Sequence, residues 1–212
     1  YKKYMEEIVM INILGIYVEI TTECNLRCIH CYNDSGEKQF LISKDNLVDI
    51  LDYAKEINLM HISLSGGEPL MHPQILDFLN IITTRYNMIV TLVTNAILVT
   101  QKMIDDIKLY CNTDNIRFQI SIDGSTKQEH EYIRGKGSYE PLIEAINILS
   151  KNNIPFYFHS LIHIQNYKNL DGLIAIACDY NAERQEFYFL KKKGRGDKNY
   201  DRISIPVSEQ LK

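Results

Sequence analysis

Residues 21–33 of the chain read TTECNLRCIHCYN and place three cysteines within eight residues: Cys24, Cys28 and Cys31. The other two of the five cysteines, Cys111 and Cys178, lie far away in helix-like stretches beside apolar neighbours, and we predict that both pack in the core. An odd, unevenly distributed set does not suit a disulfide framework. We therefore expect the three clustered cysteines to be reduced thiols that bind a metal centre.

The spacing C-x3-C-x2-C is compatible with two kinds of metal centre. Three thiolates can hold three irons of a cubane iron–sulfur cluster, and the fourth iron then lacks a protein ligand. Structural zinc instead requires a closed set of four ligands. The nearest fourth ligand is His30, whose position directly before Cys31 makes joint ligation awkward.

Alternating stretches along the chain predict an α/β fold. β-rich runs occur at residues 16–22, 61–65, 88–95, 116–123, 155–163 and 184–190, and amphipathic runs at 46–57, 74–86, 100–111, 139–152 and 170–180. Strands that alternate with helices of this length imply a parallel sheet with right-handed crossovers. An open doubly wound sheet and a partial barrel both fit this pattern.

Polar and special residues follow the predicted strands at the points where the strands end. They are Glu23 with the cysteines, residues 65–68, Thr94 with Asn95, Ser121 with Asp123, and His163. The carboxyl ends of parallel strands form the edge at which α/β folds build their sites. We therefore expect these residues to share one site.

The stretch LSGGEPL, residues 64–70, has the composition of a binding loop. Two glycines permit a close approach of the backbone to a ligand, and the Glu68 carboxylate can make a charge-assisted hydrogen bond to an ammonium group. A tight turn that leads into a helix is the alternative interpretation.

Composition limits the class of protein. With 45% hydrophobic and 24% charged residues, the 212-residue chain suits one globular domain. A net charge of −4 without a long basic run argues against nucleic acid as the partner. The sequence shows neither an apolar run of about 20 residues nor a signal-peptide pattern, so we expect a cytoplasmic protein without a membrane partner.

The cysteine loop and the glycine motif resemble the radical S-adenosylmethionine (radical SAM) superfamily. The loop is similar to its signature C-x3-C-x-aromatic-C, with His30 in the aromatic position, and residues 66–68 resemble its Gly-Gly-Glu motif. Residues 91–96, TLVTNA, are similar to its third-strand Thr-Asn-Gly, with Ala96 replacing the glycine.

Two further stretches resemble a subgroup of this superfamily. Residues 119–125, QISIDGS, and 130–139, HEYIRGKGSY, are similar to the maturases that modify peptides and sulfatases. The resemblance spans residues 17–196. It implies that the α/β fold is a partial (β/α)6 TIM-like barrel. We accordingly expect a lead-in at residues 1–15, the barrel at 16–196, and the start of a C-terminal extension at 197–212.

The resemblance also implies the cofactors and their ligands. It places a [4Fe-4S] cluster on Cys24, Cys28 and Cys31, with S-adenosylmethionine bound to the open iron. The implied cofactor-binding residues are Gly66, Gly67, Glu68, Asn95, Ser121, Arg134, His30 and Leu190. A guanidinium fork suits the cofactor carboxylate, which favours Arg134 over nearby lysines, and a surface arginine is the alternative. For Asp123 we expect a turn cap formed with Gly124, and contact with the peptide substrate is the alternative.

The implied activity is reductive cleavage of S-adenosylmethionine to a 5'-deoxyadenosyl radical, which abstracts a hydrogen atom from a peptide or protein side chain. Such a reaction needs no acid–base pair to start, so no further catalytic residue is assigned. The implied partners are the peptide or protein substrate and an electron donor such as ferredoxin or flavodoxin. A radical SAM enzyme of small-molecule or cofactor biosynthesis and a non-catalytic metal-binding domain are the alternatives.

We interpret KKKGRG, residues 191–196, as a solvated charge run.

Overall fold

The computed structural model describes residues 15–37, 39–206 and Glu209. Residues 1–14 of the predicted lead-in lie outside the described residues, as do 207, 208 and 210–212 of the predicted extension. Among the residues that are described, no helix is both long and apolar enough to cross a membrane.

Six parallel strands form one sheet. They are β1 (Ile16–Thr21), β2 (His61–Gly66), β3 (Ile89–Thr94), β4 (Ile116–Ser121), β5 (Phe156–Ile162) and β6 (Gln185–Phe189). Each strand pairs in parallel with the next one along the chain, so the spatial order is β1-β2-β3-β4-β5-β6. All six strands were predicted from the sequence, with boundaries that differ by no more than two residues.

The strand order decides between the two topologies that the alternation left open. A doubly wound sheet reverses its direction at a switch point, whereas this order advances in one direction throughout. A single direction of winding is the barrel arrangement, and within the described residues β1 and β6 remain the two edges of the sheet. The prediction of a partial (β/α)6 barrel is therefore confirmed.

Helices connect the strands. They are α1 (Lys44–Glu56), α2 (Ile75–Asn80), which continues as one π-helical segment (Ile81–Arg85), α3 (Gln101–Tyr110), α4 (Lys127–Arg134), α5 (Tyr139–Lys151), α6 (Leu170–Asp179), α7 (Arg195–Lys198) and α8 (Tyr200–Ile203). Short 3₁₀ turns occur at Pro69–Met71 and Thr113–Asn115.

Alternation along the strands separates a packed face from a face that is free to line a site. Successive strand residues point to opposite sides of a sheet. One set joins the helices in a single buried cluster that includes Val18, Ile20, Leu64, Leu92, Phe118 and Phe158 from the strands and Leu51, Phe78, Ile104, Ile146 and Leu173 from the helices. The other set includes Tyr17, Ser65, Gln119, Ser121, His159 and Tyr188, and it faces a cavity.

Helix α4 was not predicted, because its sequence KQEHEYIR is mostly polar. Its start is set by a capping box, in which Glu129 N donates to Thr126 Oγ1 at 3.3 Å and Thr126 N donates to Glu129 Oε2 at 3.2 Å. Its end is set by Gly135, whose φ of 102° stops the helix. The helix buries His130, Ile133 and Arg134.

Two interpretations of the chain outside the strands hold only in part: residues 191–193 are exposed as expected but 194–196 are not, and the prediction that both distant cysteines pack in the core is wrong for Cys178. Residues 191–196 are not simply a solvated charge run, because Arg195 begins α7 and its side chain contacts the cysteine loop. Ile203 of α8 is buried against Ile133 and Leu161. Of the two distant cysteines, Cys111 packs partly buried against the core, whereas Cys178 is exposed.

We expect Thr126→Ala to lower the free energy of unfolding by about 1 kcal/mol, because the helix that carries Arg134 loses its N-cap. Urea denaturation followed by circular dichroism measures this loss. Lys127→Ala is the control: it removes an exposed ion pair with Glu140, so we expect no resolvable change. Equal losses in the two variants would contradict the assignment of the capping box.

Candidate functional site

A cavity of about 490 Å³ lies at the carboxyl ends of the strands. All eleven residues that were selected from the sequence line it: Cys24, Cys28, His30, Cys31, Gly66, Gly67, Glu68, Asn95, Ser121, Arg134 and Leu190. A cavity of this size accommodates a small-molecule cofactor. The fold thus brings together side chains from the first loop, from the ends of the strands and from α4.

The three cysteines of the loop are free thiols. Cys28 is buried, and Cys24 and Cys31 are partly buried. Burial raises the pKa of Cys28 to about 11, and burial also raises the pKa of Cys24. Metal binding requires the thiolate form and supplies the positive charge that stabilises it. The loop therefore places three thiols on the wall of one cavity, and this set of donors fits an iron–sulfur cluster.

The His30 side chain contacts the last strand, β6. Its Nε2 atom lies 3.3 Å from the Tyr188 hydroxyl. Its Nδ1 atom is buried and has no hydrogen-bond partner within the described part of the chain. Burial lowers the pKa of His30 to about 4, so the imidazole is neutral. Among the residues described, no three His, Cys, Asp or Glu side chains are grouped to hold a single metal ion.

Gly66 and Gly67 lie against the end of β1, which gives a second reason for the two glycines beside the predicted contact with a ligand. Gly66 has a φ of 129°, and a Cβ there would overlap Thr21 O. A Cβ on Gly67 would overlap the Glu23 carbonyl. Gly67 N donates to Thr21 O at 2.7 Å and Glu68 N donates to Glu23 O at 2.8 Å. The glycines thus permit close approach of two backbone segments, and this joins the motif to the cysteine loop.

The buried Glu68 carboxylate accepts three hydrogen bonds. Oε1 accepts from Thr94 Oγ1 at 2.6 Å and from Leu70 N at 3.1 Å, and Oε2 accepts from Asn95 N at 2.8 Å. Glu68 is 1% exposed, and burial raises the pKa of its carboxyl despite these donors. The alternative of a tight turn is also correct, since Glu68 caps the 3₁₀ turn at Pro69–Met71.

Asn95 connects the third strand to the cysteine loop. Its Nδ2 atom donates to Asn25 Oδ1 at 2.8 Å, and its Oδ1 atom accepts from Ile97 N at 3.1 Å. Ala96 has a φ of 63°, a left-handed backbone that favours the glycine of the Thr-Asn-Gly motif to which residues 94–96 are similar. Ser121, at the end of β4, pairs with His159 of β5 and lines the same cavity.

Arg134 is buried and paired with Asp123. Its Nε atom donates to Asp123 Oδ2 at 2.6 Å, and its NH1 nitrogen lies 4.0 Å from Cys28 Sγ. Arg134 is 7% exposed and Asp123 is 0% exposed, so the interpretation of a surface arginine is wrong. Burial by itself raises the pKa of the Asp123 carboxyl, but Arg134 outweighs burial and holds that pKa well below its usual range.

Asp123 contacts several elements and is therefore more than the turn cap that we predicted. Oδ1 accepts from Leu161 N at 2.8 Å. The backbone oxygen accepts from His163 Nε2 at 2.7 Å and from Asn166 Nδ2 at 3.0 Å. The backbone nitrogen donates to His130 Nδ1 at 3.2 Å. Asp123 thus fixes Arg134 to β5 and to the loop that follows it.

Sequence reasoning missed part of the cavity wall. Tyr188 stacks on His159 with ring centroids 4.2 Å apart, and Leu190 follows on the same side of the chain. Gln119 accepts from Tyr157 Oη at 2.8 Å. Alternation along β4, β5 and β6 would have placed these side chains on the inner face, since each lies two residues from a selected or polar position.

The family comparison agrees with this fold and site. The family model described as "Radical SAM superfamily" matches residues 18–177. The match covers most of the chain, and the chain therefore belongs to the radical SAM superfamily. The prediction of a [4Fe-4S] cluster and S-adenosylmethionine as cofactors is confirmed at the level of the family.

The chain is similar to curated relatives of two kinds, a heme synthase and a peptide maturase. The chain is 28% identical over 200 residues to the AdoMet-dependent heme synthase of Methanosarcina barkeri, covering 91% of this chain and 55% of the relative. It is 28% identical over 194 residues to the mycofactocin maturase of Mycolicibacterium smegmatis, covering 91% and 48%. The chain thus spans about half the length of these curated relatives.

A solved structure shows the same fold. SuiB of Streptococcus suis, bound to the precursor peptide SuiA, superposes with a TM-score of 0.74 at 17% identity. The superposition covers 84% of this chain and 40% of SuiB. At this identity the likeness concerns the fold, and it identifies the sheet as the partial barrel of the superfamily.

We expect Asp123→Asn to lower the free energy of unfolding by about 3–5 kcal/mol, because it leaves the buried Arg134 charge without its partner. Thermal and urea denaturation measure the loss. The double variant Asp123→Asn/Arg134→Met removes both charges and should recover part of it. A double variant that is no more stable than Asp123→Asn would contradict the ion pair as the cause.

The buried His130 predicts acid sensitivity. Burial lowers its pKa from 6.5 to about 3, so the unfolded chain binds a proton that the folded one excludes. The stabilisation is complete above pH 6.5 and is lost as the pH falls toward 3. Between pH 7 and pH 5 we expect His130 to account for about 2 kcal/mol of lost stability. Urea denaturation at both values should show a smaller loss in His130→Gln, and an unchanged loss would contradict this assignment.

Proposed function

We propose that the protein is a radical SAM enzyme that modifies a peptide or protein side chain. The convergence of three loop cysteines and eight further predicted residues on one cavity carries this proposal. Side chains separated by more than 160 residues in the sequence line a space sized for a nucleoside cofactor.

Cys24, Cys28 and Cys31 are the proposed ligands of the [4Fe-4S] cluster. When bound and reduced, the cluster with S-adenosylmethionine supplies a 5'-deoxyadenosyl radical that abstracts a hydrogen atom from the substrate. The loop contributes three thiolates and no fourth ligand, which leaves one iron for the cofactor.

The other cavity residues would hold the parts of S-adenosylmethionine according to charge. The Glu68 carboxylate and the Gly66–Gly67 backbone would bind the amino group, since a buried carboxylate favours a cationic partner. Arg134, whose Nε is held by Asp123, would offer its terminal N–H groups to the carboxylate. Ser121 and Asn95 would bind the polar groups of the ribose and the amino acid. His30 and Leu190 would contact the adenine.

Burial in the cavity would protect a carbon radical from water. The sheet and the cysteine loop line the site, and the aromatic pair of His159 and Tyr188 forms the wall near β6. Exclusion of water prevents the loss of a reactive radical to side reactions, and a fixed substrate brings its C–H group within transfer distance.

The class of substrate is supported by the relatives and by the segment at 119–139. The mycofactocin maturase and SuiB with its precursor peptide favour a peptide substrate. The heme synthase of comparable identity favours the second candidate, a small molecule of cofactor biosynthesis. The proposal includes an electron donor such as ferredoxin or flavodoxin, and residues 197–212 as the start of an extension beyond the barrel.

We expect the protein, reconstituted anaerobically with iron and sulfide and reduced with dithionite, to convert S-adenosylmethionine to 5'-deoxyadenosine. Chromatography with mass detection measures the product. Cys28→Ser should abolish both the cluster absorption and the product, because it removes a ligand. Cys178→Ser is the matched control and should keep both, since this thiol is exposed and outside the cavity.

A protein that binds zinc tightly and forms no 5'-deoxyadenosine would overturn the enzymatic proposal. A short precursor-peptide gene beside the coding gene, whose product changes mass on incubation with the reduced enzyme, would favour the peptide substrate. Turnover of a small molecule without any peptide would favour the second candidate.

A further inference from the structure

The cysteine loop, residues 22–37, is held from one side by a segment that follows the last strand. Arg195 Nε donates to Cys28 O at 2.8 Å, its NH1 nitrogen donates to Ser35 O at 3.0 Å, and its backbone nitrogen donates to Cys31 O at 2.9 Å. Asn199 Nδ2 donates to Ile29 O at 3.1 Å. Two residues of the 194–199 segment therefore satisfy four carbonyl oxygens of the loop.

Close packing accompanies these hydrogen bonds. Gly194 lies so near the loop that a Cβ would meet Tyr32 O at 2.5 Å and Cys31 O at 2.6 Å. The Arg195 side chain is 19% exposed and lines the cavity beside the cysteines. The segment thus contacts the backbone of two of the three predicted cluster ligands, Cys28 and Cys31.

The loop needs such support because it has little regular structure of its own. Between β1 and α1 it forms turns and two isolated bridges, Thr21↔Leu41 and Glu23↔Gly36. Ordering the backbone of a loop that has no continuous strand pairing costs conformational entropy. Each added hydrogen bond to a loop carbonyl lowers the population of open forms. The 194–199 segment lies beyond the residues matched by the family model, which end at 177.

We propose that Arg195 is a positioning residue that holds the cysteine loop in its metal-binding conformation through the fork geometry of its guanidinium. Its part in cluster retention rests on the proposed function. Its part in ordering the loop does not, because Arg195 makes three hydrogen bonds to backbone carbonyls of the loop itself.

A surface ion pair is the competing explanation for Arg195. NH1 also lies 2.8 Å from Asp34 Oδ1, and Asp34 is half exposed. Such pairs contribute little to stability. The Nε atom and the backbone nitrogen donate to loop carbonyls instead, so the ion pair accounts for only one of the contacts. Lysine would keep the charge but has no fork, which separates the two explanations.

The test measures the alkylation of the cysteines by iodoacetamide in the metal-free, reduced protein, with each site followed by peptide mass spectrometry. In Arg195→Lys we expect Cys24, Cys28 and Cys31 to react about tenfold faster than in the unchanged protein, because loss of two hydrogen bonds raises the open population. The exposed Cys178 is the internal reference and should keep its rate. Asp34→Asn is the matched control and should change the loop rates less than twofold.

Arg195→Lys is the decisive variant because it keeps a positive charge, and alkylation also depends on the thiol pKa. Loop rates equal to those of the unchanged protein would overturn the proposal, and so would an effect of Asp34→Asn as large as that of Arg195→Lys. If Arg195→Lys unfolds, which faster reaction of Cys111 would reveal, Asn199→Ala decides. It removes one loop contact, and an unchanged rate at Cys28 and Cys31 would then overturn the proposal.

A second readout uses the reconstituted protein and does not depend on turnover. We expect Arg195→Lys to release iron to a chelator several-fold faster than Asp34→Asn, which should match the unchanged protein. A protein that makes no 5'-deoxyadenosine but shows the alkylation effect would overturn the proposed function and keep the role of Arg195. The reverse pattern would overturn the role of Arg195 alone.

Discussion

The buried ion pair between Asp123 and Arg134 is the interaction on which one wall of the cavity depends. Two charges removed from water are costly unless each is fully paired, and Asp123 meets this requirement with Arg134 Nε and Leu161 N as donors. Its backbone oxygen accepts two further hydrogen bonds, from His163 and Asn166. The end of β4, helix α4, strand β5 and the residues after it are therefore joined at Asp123, and Arg134 NH1 lies 4.0 Å from Cys28 Sγ.

The opposite wall depends on backbone contacts with the cysteine loop. On one side, Gly67 and Glu68 donate to carbonyls of Thr21 and Glu23, which is possible because neither Gly66 nor Gly67 carries a side chain. On the other side, the 194–199 segment donates to the loop carbonyls. The loop after β2 and the 194–199 segment after β6 thus position the three thiols together. Metal binding by the thiols therefore depends on both ends of the sheet being folded.

The strands, most helices and the composition of the site could be predicted because their causes are local. The six strands have β-rich runs of the expected period, and Cys24, Cys28 and Cys31 are defined by their spacing alone. Helix α4 could not be predicted from periodicity, because its buried face consists largely of His130 and Arg134, residues that are normally exposed. The position of Arg195 could not be predicted for the same reason, because a basic run is usually solvated. Only the contacts of Arg195 with the cysteine loop show that it is partly buried.

The sequence by itself determined the alternation of strands and helices, the loop of three thiols and the motifs at the strand ends, since each of these is set by residues close together in the chain. The tertiary structure alone decided that the strands follow one another around a partial barrel, that the glycines pack against β1, and that Asp123 is paired rather than free. Contacts such as that of Arg195 with Cys28 join residues 167 positions apart. They have no signature in either local segment, because the hydrogen bond exists only when the intervening sheet has brought the two segments together.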